Sequence, residues 1–175
     1  MRIKKSLPKG LSALLAVCLL VVLDQFTKYL AVLKLKDQAP YMMIPGVFQL
    51  RYLENRGSAF GMMQNRQVFL LVVTVLFLAL LIWFFLRLPE TKKFRPLKVI
   101  LVFVLSGAVG NMIDRVRLRY VIDFFYFELI DFPIFNVADI YITVSGILFF
   151  ILFLFYYKEE DFHTVWGAGK KRLGK

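Results

Sequence analysis

Three aspartates, Asp114, Asp123 and Asp139, lie beside or between long apolar runs, accompanied by Asn111 and Asn136. Ionisable groups in such places are costly and mark candidate functional sites. Two carboxylates brought close together cannot easily both ionise. They share one proton and divide the roles of acid and base. Such a pair activates water against a peptide carbonyl and protonates the leaving nitrogen, with no metal, serine or histidine. Other catalytic equipment is scarce. With one histidine, His163, and one cysteine, Cys18, neither a Ser/His/Asp triad nor a metal centre is easily built, so no metal and no cofactor are expected. Spacing alone leaves open which two aspartates pair, although Asp114 beside Arg115 favours a permanently charged, structural carboxylate. It also leaves open a non-catalytic polar network that caps helix ends. Asp24 and Lys28, four residues apart, fall on one helix face, where an inward-facing structural pair is the favoured reading.

The elements that must hold these groups follow from composition. The chain has 175 residues, 59% hydrophobic and 20% charged, well displaced from a soluble domain. A water-soluble enzyme, a disordered tail and a disulfide scaffold are set aside; the expected class is an integral membrane protein forming one domain over 1–175. A membrane helix needs about 20 mostly apolar residues. Four stretches qualify: 11–33, 68–86, 97–113 and 137–157. The apolar run of the first continues past Cys18, with bulky Val17 where a cleavage site wants a small residue, so a retained helix with Cys18 buried is expected.

Charge placement orients the spans. Of the 23 basic residues, 14 lie in the N-terminal tail, in the connection around 87–98 and in the C-terminal tail, against eight in the two longer connections. The positive-inside rule puts both termini in the cytoplasm and connections 34–67 and 114–136 outside. The net charge of +11 is thereby explained by topology, and no nucleic-acid partner is expected. In the first outer connection, Phe48, Leu50 and Tyr52 alternate with Gln49 and Arg51, the pattern of a half-buried strand, with a turn at Asn55–Ser58 and a returning strand at 59–63. In the other, Phe124–Phe127 suit an interfacial anchor. Ser106, Gly107, Ala108 and Gly110 would let the third helix approach a neighbour closely. The expected fold is an all-α polytopic membrane protein: four transmembrane helices, a small extracytoplasmic β-sheet cradle and a short interfacial helical segment.

Five blocks in order resemble the bacterial lipoprotein signal peptidase (signal peptidase II) family. Asp24-Gln25-Phe26-Thr27-Lys28 is similar to its D-Q-x-T-K stretch, and Asn55–Gly61 to N-x-G-x-A-[FW]-G. Gly107–Arg115 matches G-A-x-G-N-x-x-D-R, Val121–Phe124 matches V-[VI]-D-[FM], and Phe135–Asp139 matches F-N-x-A-D. The resemblance implies an intramembrane aspartic endopeptidase of the bacterial cell membrane. It would cut diacylglyceryl-modified prolipoproteins just before the lipid-bearing cysteine, near the outer leaflet, and be inhibited by globomycin. Carried over by motif, Asp123 and Asp139 are the catalytic pair. Asn55, Gly57, Asn111, Arg115, Asn136 and Ala138 bind substrate or support the site; Asp24, Lys28 and Asp114 are structural. Membrane lipids and the prolipoproteins are the implied partners. A transporter would need ionisable groups crossing the membrane, whereas here they gather at one face; an assembly scaffold would tolerate neutral residues at 123 and 139.

Overall fold

The computed structural model describes residues 9–57 and 66–161. Four helices among them are long and apolar enough to cross a bilayer: α1 (Lys9–Leu35), α2 (Gln67–Arg87), α3 (Arg95–Leu118) and α4 (Val137–Phe155). Their exposure is inverted relative to a soluble protein. Leu19, Leu76 and Phe150 stand outward while Asp24, Lys28, Ser106 and Asn136 are buried. That is the arrangement a hydrocarbon solvent selects. Cys18 follows the same logic. It is exposed on α1, not buried as expected, because a small apolar thiol is as well placed against lipid as inside.

Helix α3 is the hub, packing against the other three. Two of its glycines make that possible. A Cβ on Gly107 would sit 2.5 Å from the Ala138 carbonyl oxygen, and one on Gly110 would sit 2.5 Å from Asp24 Oδ2. The α4 backbone therefore packs directly on α3, and the Asp24 carboxylate of α1 lies against the bare α3 backbone. Pro96 in its first turn starts α3, and Arg119 in the left-handed conformation (φ 68°) stops it. It continues well beyond residue 113, where the apolar run ends, so Asp114 and Arg115 are helical residues, not loop residues. Burial of Asp114 against α1 neutralises its charge inside the bundle, and the helix has no reason to stop there.

Three short strands lie at one end of the bundle: β1 (Tyr41–Ile44), β2 (Phe48–Asn55) and β3 (Val121–Tyr126), in the order β1-β2-β3, all antiparallel. Gly46, with φ 71°, turns β1 into β2. The expected strand at 48–52 is β2, extended through Asn55. Its partners are β1 and β3; the return strand expected at 59–63 lies outside the described residues. The run Phe124–Phe127 departs from its expected role as an anchor. Its first three residues belong to β3, where Phe124 is buried, and Phe125 and Phe127 pack with Phe48 and Phe135. Backbone pairing with β2 consumes the polar groups an interfacial segment would leave to water. A single turn of 3-10 helix, Glu128–Ile130, follows, and Phe125 and Phe135 exchange backbone hydrogen bonds of 2.9 and 3.0 Å. This bridge closes the 126–134 loop and delivers Asn136 to the end of α4 beside β3. At the other end of the bundle, Leu88, Phe94, Leu97, Leu101 and Tyr157 form a separate apolar cluster.

The backbone contact at Gly107 predicts that Gly107→Ala lowers stability by roughly 1–3 kcal/mol. Gly146→Ala, with nothing within 4 Å of the new Cβ, should be neutral. Thermal unfolding of the two variants in detergent makes the comparison.

Candidate active site

Asn136 begins the site. It caps α4: its side-chain oxygen accepts the Asp139 N–H at 3.0 Å, and Asp139 Oδ2 accepts the Asn136 N–H at 3.1 Å. This capping box fixes Asp139 in the first helical turn. The Asn136 amide has two donors left. One reaches Asp123 Oδ1 at 2.7 Å, the other Asn111 Oδ1 at 3.1 Å. A single asparagine thus ties the strand-borne aspartate to the helix-borne one.

Asp123 is brought within reach of Asn55 by an irregularity in the sheet. Leu50 pairs with Phe125 and Leu53 with Asp123, so two residues of β2 face one of β3. The bulge puts Leu53 and Asn55 on the face that carries Asp123, because directly opposed residues point the same way. Asn55 Nδ2 donates to Asp123 Oδ2 at 2.9 Å, and Asn55 Oδ1 accepts the Gly57 N–H at 3.0 Å. Gly57 is buried, and its carbonyl oxygen lies 3.5 Å from Arg115 Nη2. Arg115 Nε is buried with no partner among the described residues.

Beneath the pair is a charged layer. Lys28 Nζ lies 2.9 Å from Asp24, 2.9 Å from Asp114 and 2.9 Å from Asn111 Oδ1, all four buried. Asn111 Nδ2 in turn donates to Asp139 Oδ1 at 2.8 Å. Asp24 Oδ1 accepts the Ala138 N–H at 2.9 Å. The partner of Asp114 is therefore Lys28, not its neighbour Arg115, because consecutive helical residues point about 100° apart. Above the pair opens a cavity of about 750 Å³, lined by Asn55, Asn111, Arg115, Asp123 and Asp139 and walled by Leu53, Phe132, Ile140 and Val144. Asp114 is not among its lining residues.

The profile of signal peptidase (SPase) II matches residues 16–155. The chain belongs to that family. A lipoprotein signal peptidase of Caldanaerobacter subterraneus subsp. tengcongensis is 46% identical over 144 residues, covering 82% of this chain and 96% of the relative. One from Streptococcus pyogenes serotype M1 is 42% identical over 150 residues, 85% and 94% of the two chains. Among solved structures, a bacterial membrane enzyme determined by the in meso method at 2.3 Å resolution superimposes with a TM-score of 0.76 at 30% identity, covering 90% of this chain and 98% of that one. A second, at 1.9 Å, gives 0.73, also at 30% identity, covering 89% of this chain and 100% of its own. As a family member the chain is an aspartic endopeptidase of the membrane that removes signal peptides from prolipoproteins.

All the site residues expected from the family motifs fall in this one assembly, in three layers. Asp123, Asp139, Asn55, Asn111 and Arg115 face the cavity; Asn136, Gly57 and Ala138 hold them; Asp24, Lys28 and Asp114 lie below. Sequence reasoning gave no role to Gln25, whose amide nitrogen shares its two N–H donors among Asp24, the Gly110 carbonyl and Asp114 at 2.9–3.2 Å. The signal was present: an amide inside an apolar span needs partners. It also passed over Arg56 and Glu54, an ion pair on the cavity rim in which Glu54 also meets Lys36.

Burial raises the Asp123 carboxyl from the ordinary 3.8 to about 7, reinforced by the negative charge of Asp139. The folded state therefore keeps a proton that the unfolded chain has already lost, and stability falls as pH rises from about 4 to about 7. Thermal unfolding should show wild type losing up to a few kcal/mol across that interval. Asp123→Asn should flatten that dependence.

Proposed function

We propose that Asp123 and Asp139 are the catalytic pair and that the cavity above them holds the scissile bond of the prolipoprotein. The observation that carries this is the Asn136 tie: one residue hydrogen-bonds both carboxyls, and both line the cavity. In the reaction the ionised carboxylate takes a proton from water as the oxygen bonds to the peptide carbonyl carbon. The protonated partner gives its proton to the carbonyl oxygen. The gem-diol then collapses: the C–N bond breaks, the leaving nitrogen takes a proton from the carboxyl that received it, and one hydroxyl returns its proton to the other carboxylate as the carbonyl re-forms. Asn55, Asn111 and Asn136 orient the pair, while Gly57 and Arg115 border the bound chain. Ala138 lets α4 close on α3, and Asp24, Lys28 and Asp114 are structural.

The substrate in this reading is a prolipoprotein whose cysteine carries diacylglycerol, cut just before that cysteine. The apolar walls Phe132, Ile140 and Val144 suit acyl chains and a signal helix. Globomycin would inhibit by occupying the pair. The orientation has both termini in the cytoplasm of a bacterial cell, with the site near the outer leaflet. In support, the sheet and cavity lie at one end of the bundle, while Arg87, Lys92, Lys93 and Arg95 belong to the connection at the other. A lipid-anchored cysteine would hold the bond at that outer depth, where water also has access.

Cleavage of a lipidated prolipoprotein, assayed with and without globomycin, tests the reading. Asp123→Asn and Asp139→Asn should each abolish cleavage at normal abundance, and the double variant should be no worse than either. Asp114→Asn should instead reduce folded yield, since Lys28 loses a buried partner. Near-normal cleavage by Asp123→Asn beside a dead but folded Asp114→Asn would overturn the assignment. Labelling of a cysteine placed at Lys93 from the cytoplasmic side alone is the expected result for orientation.

A further inference from the structure

The two carboxyls have unequal surroundings, and the inequality has a source in α1. Asn111 Oδ1 accepts from the Lys28 ammonium at 2.9 Å, and its Nδ2 donates to Asp139 Oδ1 at 2.8 Å. A cation on the oxygen of an amide draws electron density from its N–H groups and makes them stronger donors. Asp139 also sits in the first turn of α4, at the positive end of the helix dipole, and accepts the Asn136 backbone N–H. Asp123 has neither advantage. It lies on a strand, which has little net dipole, and among the described residues its two donors are the side-chain amides of Asn55 and Asn136.

Other charged and titratable groups surround the pair. From α1 come Lys28 and Asp24, opposite charges that largely offset each other; from α3 come Asp114, held by the same ammonium, and Arg115 on the cavity wall. From α4, the Tyr141 hydroxyl is turned to the Leu20 carbonyl oxygen. At the end of β2, Glu54 and the Arg56 that follows the strand are joined to each other at the rim.

Resting on the assignment of Asp123 and Asp139 as the pair, we infer that Lys28 is a positioning residue that acts through the Asn111 amide. It holds the negative charge of the resting pair on Asp139, the base, and leaves the proton on Asp123, the acid.

The test compares kcat/KM against pH, for a lipidated prolipoprotein, in wild type and in two double variants, Lys28→Met with Asp114→Asn and Lys28→Met with Asp24→Asn. Each double variant removes one buried positive and one negative charge, so net charge is preserved; the surviving carboxylate loses its ammonium but keeps a backbone donor, the Ala138 N–H for Asp24 or the Ile122 N–H for Asp114. The acidic limb of the profile should move to higher pH by about one unit, a loss of about tenfold on the acidic side. The alkaline limb should move less. A folded double variant whose acidic limb stays in place overturns the inference and leaves Lys28 merely structural. Infrared spectra supply a readout that does not depend on those variants folding. The protonated-carboxyl band of the resting enzyme should vanish in Asp123→Asn and persist in Asp139→Asn; the reverse, or a band indifferent to both, overturns it. Retained cleavage by either single variant would sink the pair itself, whereas a fixed limb with both single variants dead sinks only the role of Lys28.

Discussion

An ammonium in the interior of a membrane bundle is tolerated only when anions and hydrogen-bond acceptors surround it. Lys28 has three: Asp24 from its own helix, Asp114 from α3, and the Asn111 oxygen. These contacts fix how far α1 and α3 rotate relative to each other. They also set the direction of the Asn111 amide, because an oxygen held by Lys28 leaves only the nitrogen for Asp139. Asp24 extends the constraint to α4 through the Ala138 N–H. The glycines at 107 and 110 bring the backbones close enough for side chains this short to reach.

The second half of the site is held by different means. Asp123 rides on a strand outside the spans, and its place depends on sheet pairing, on the bulge in β2 and on the Phe125–Phe135 bridge. The aromatic stack of Phe48, Phe125, Phe127 and Phe135 keeps that bridge against the sheet. Asn136 is where the two supports meet. The carboxyl of Asp123 is thus buried beside another acid with no ion pair to a cation among the described residues, and its proton affinity rises accordingly.

Much of this was readable from residue order. The apolar runs located the four helices, and the four-residue spacing of Asp24 and Lys28 located their ion pair. Antiparallel neighbours were bound to bring Asn111 and Asp139 to one depth. What escaped reading was set by contacts distant in sequence. The length of α3 depends on Asp114 finding Lys28, which no local pattern around residue 114 reveals. Strand β3 is an aromatic run whose alternation is masked because it is covered on both sides. The bulge that turns Asn55 toward Asp123 breaks the period-2 pattern at the position where the pattern would have been used. The partner of Asp114 was misread as Arg115 because adjacency in sequence is not adjacency on a helix.

Spacing within α1 also bears on how the molecule is made. A chain emerging from its N-terminus presents α1 to the membrane well before residues 111–139 exist. Alone, a lysine in that helix would resist entry. With Asp24 one turn earlier, 2.9 Å away, the helix carries its own counter-ion and enters as a neutral pair. The later arrival of α3 adds Asp114 and Asn111 to an ammonium already in position. The first helix is thus both self-sufficient during insertion and the template on which the third one docks.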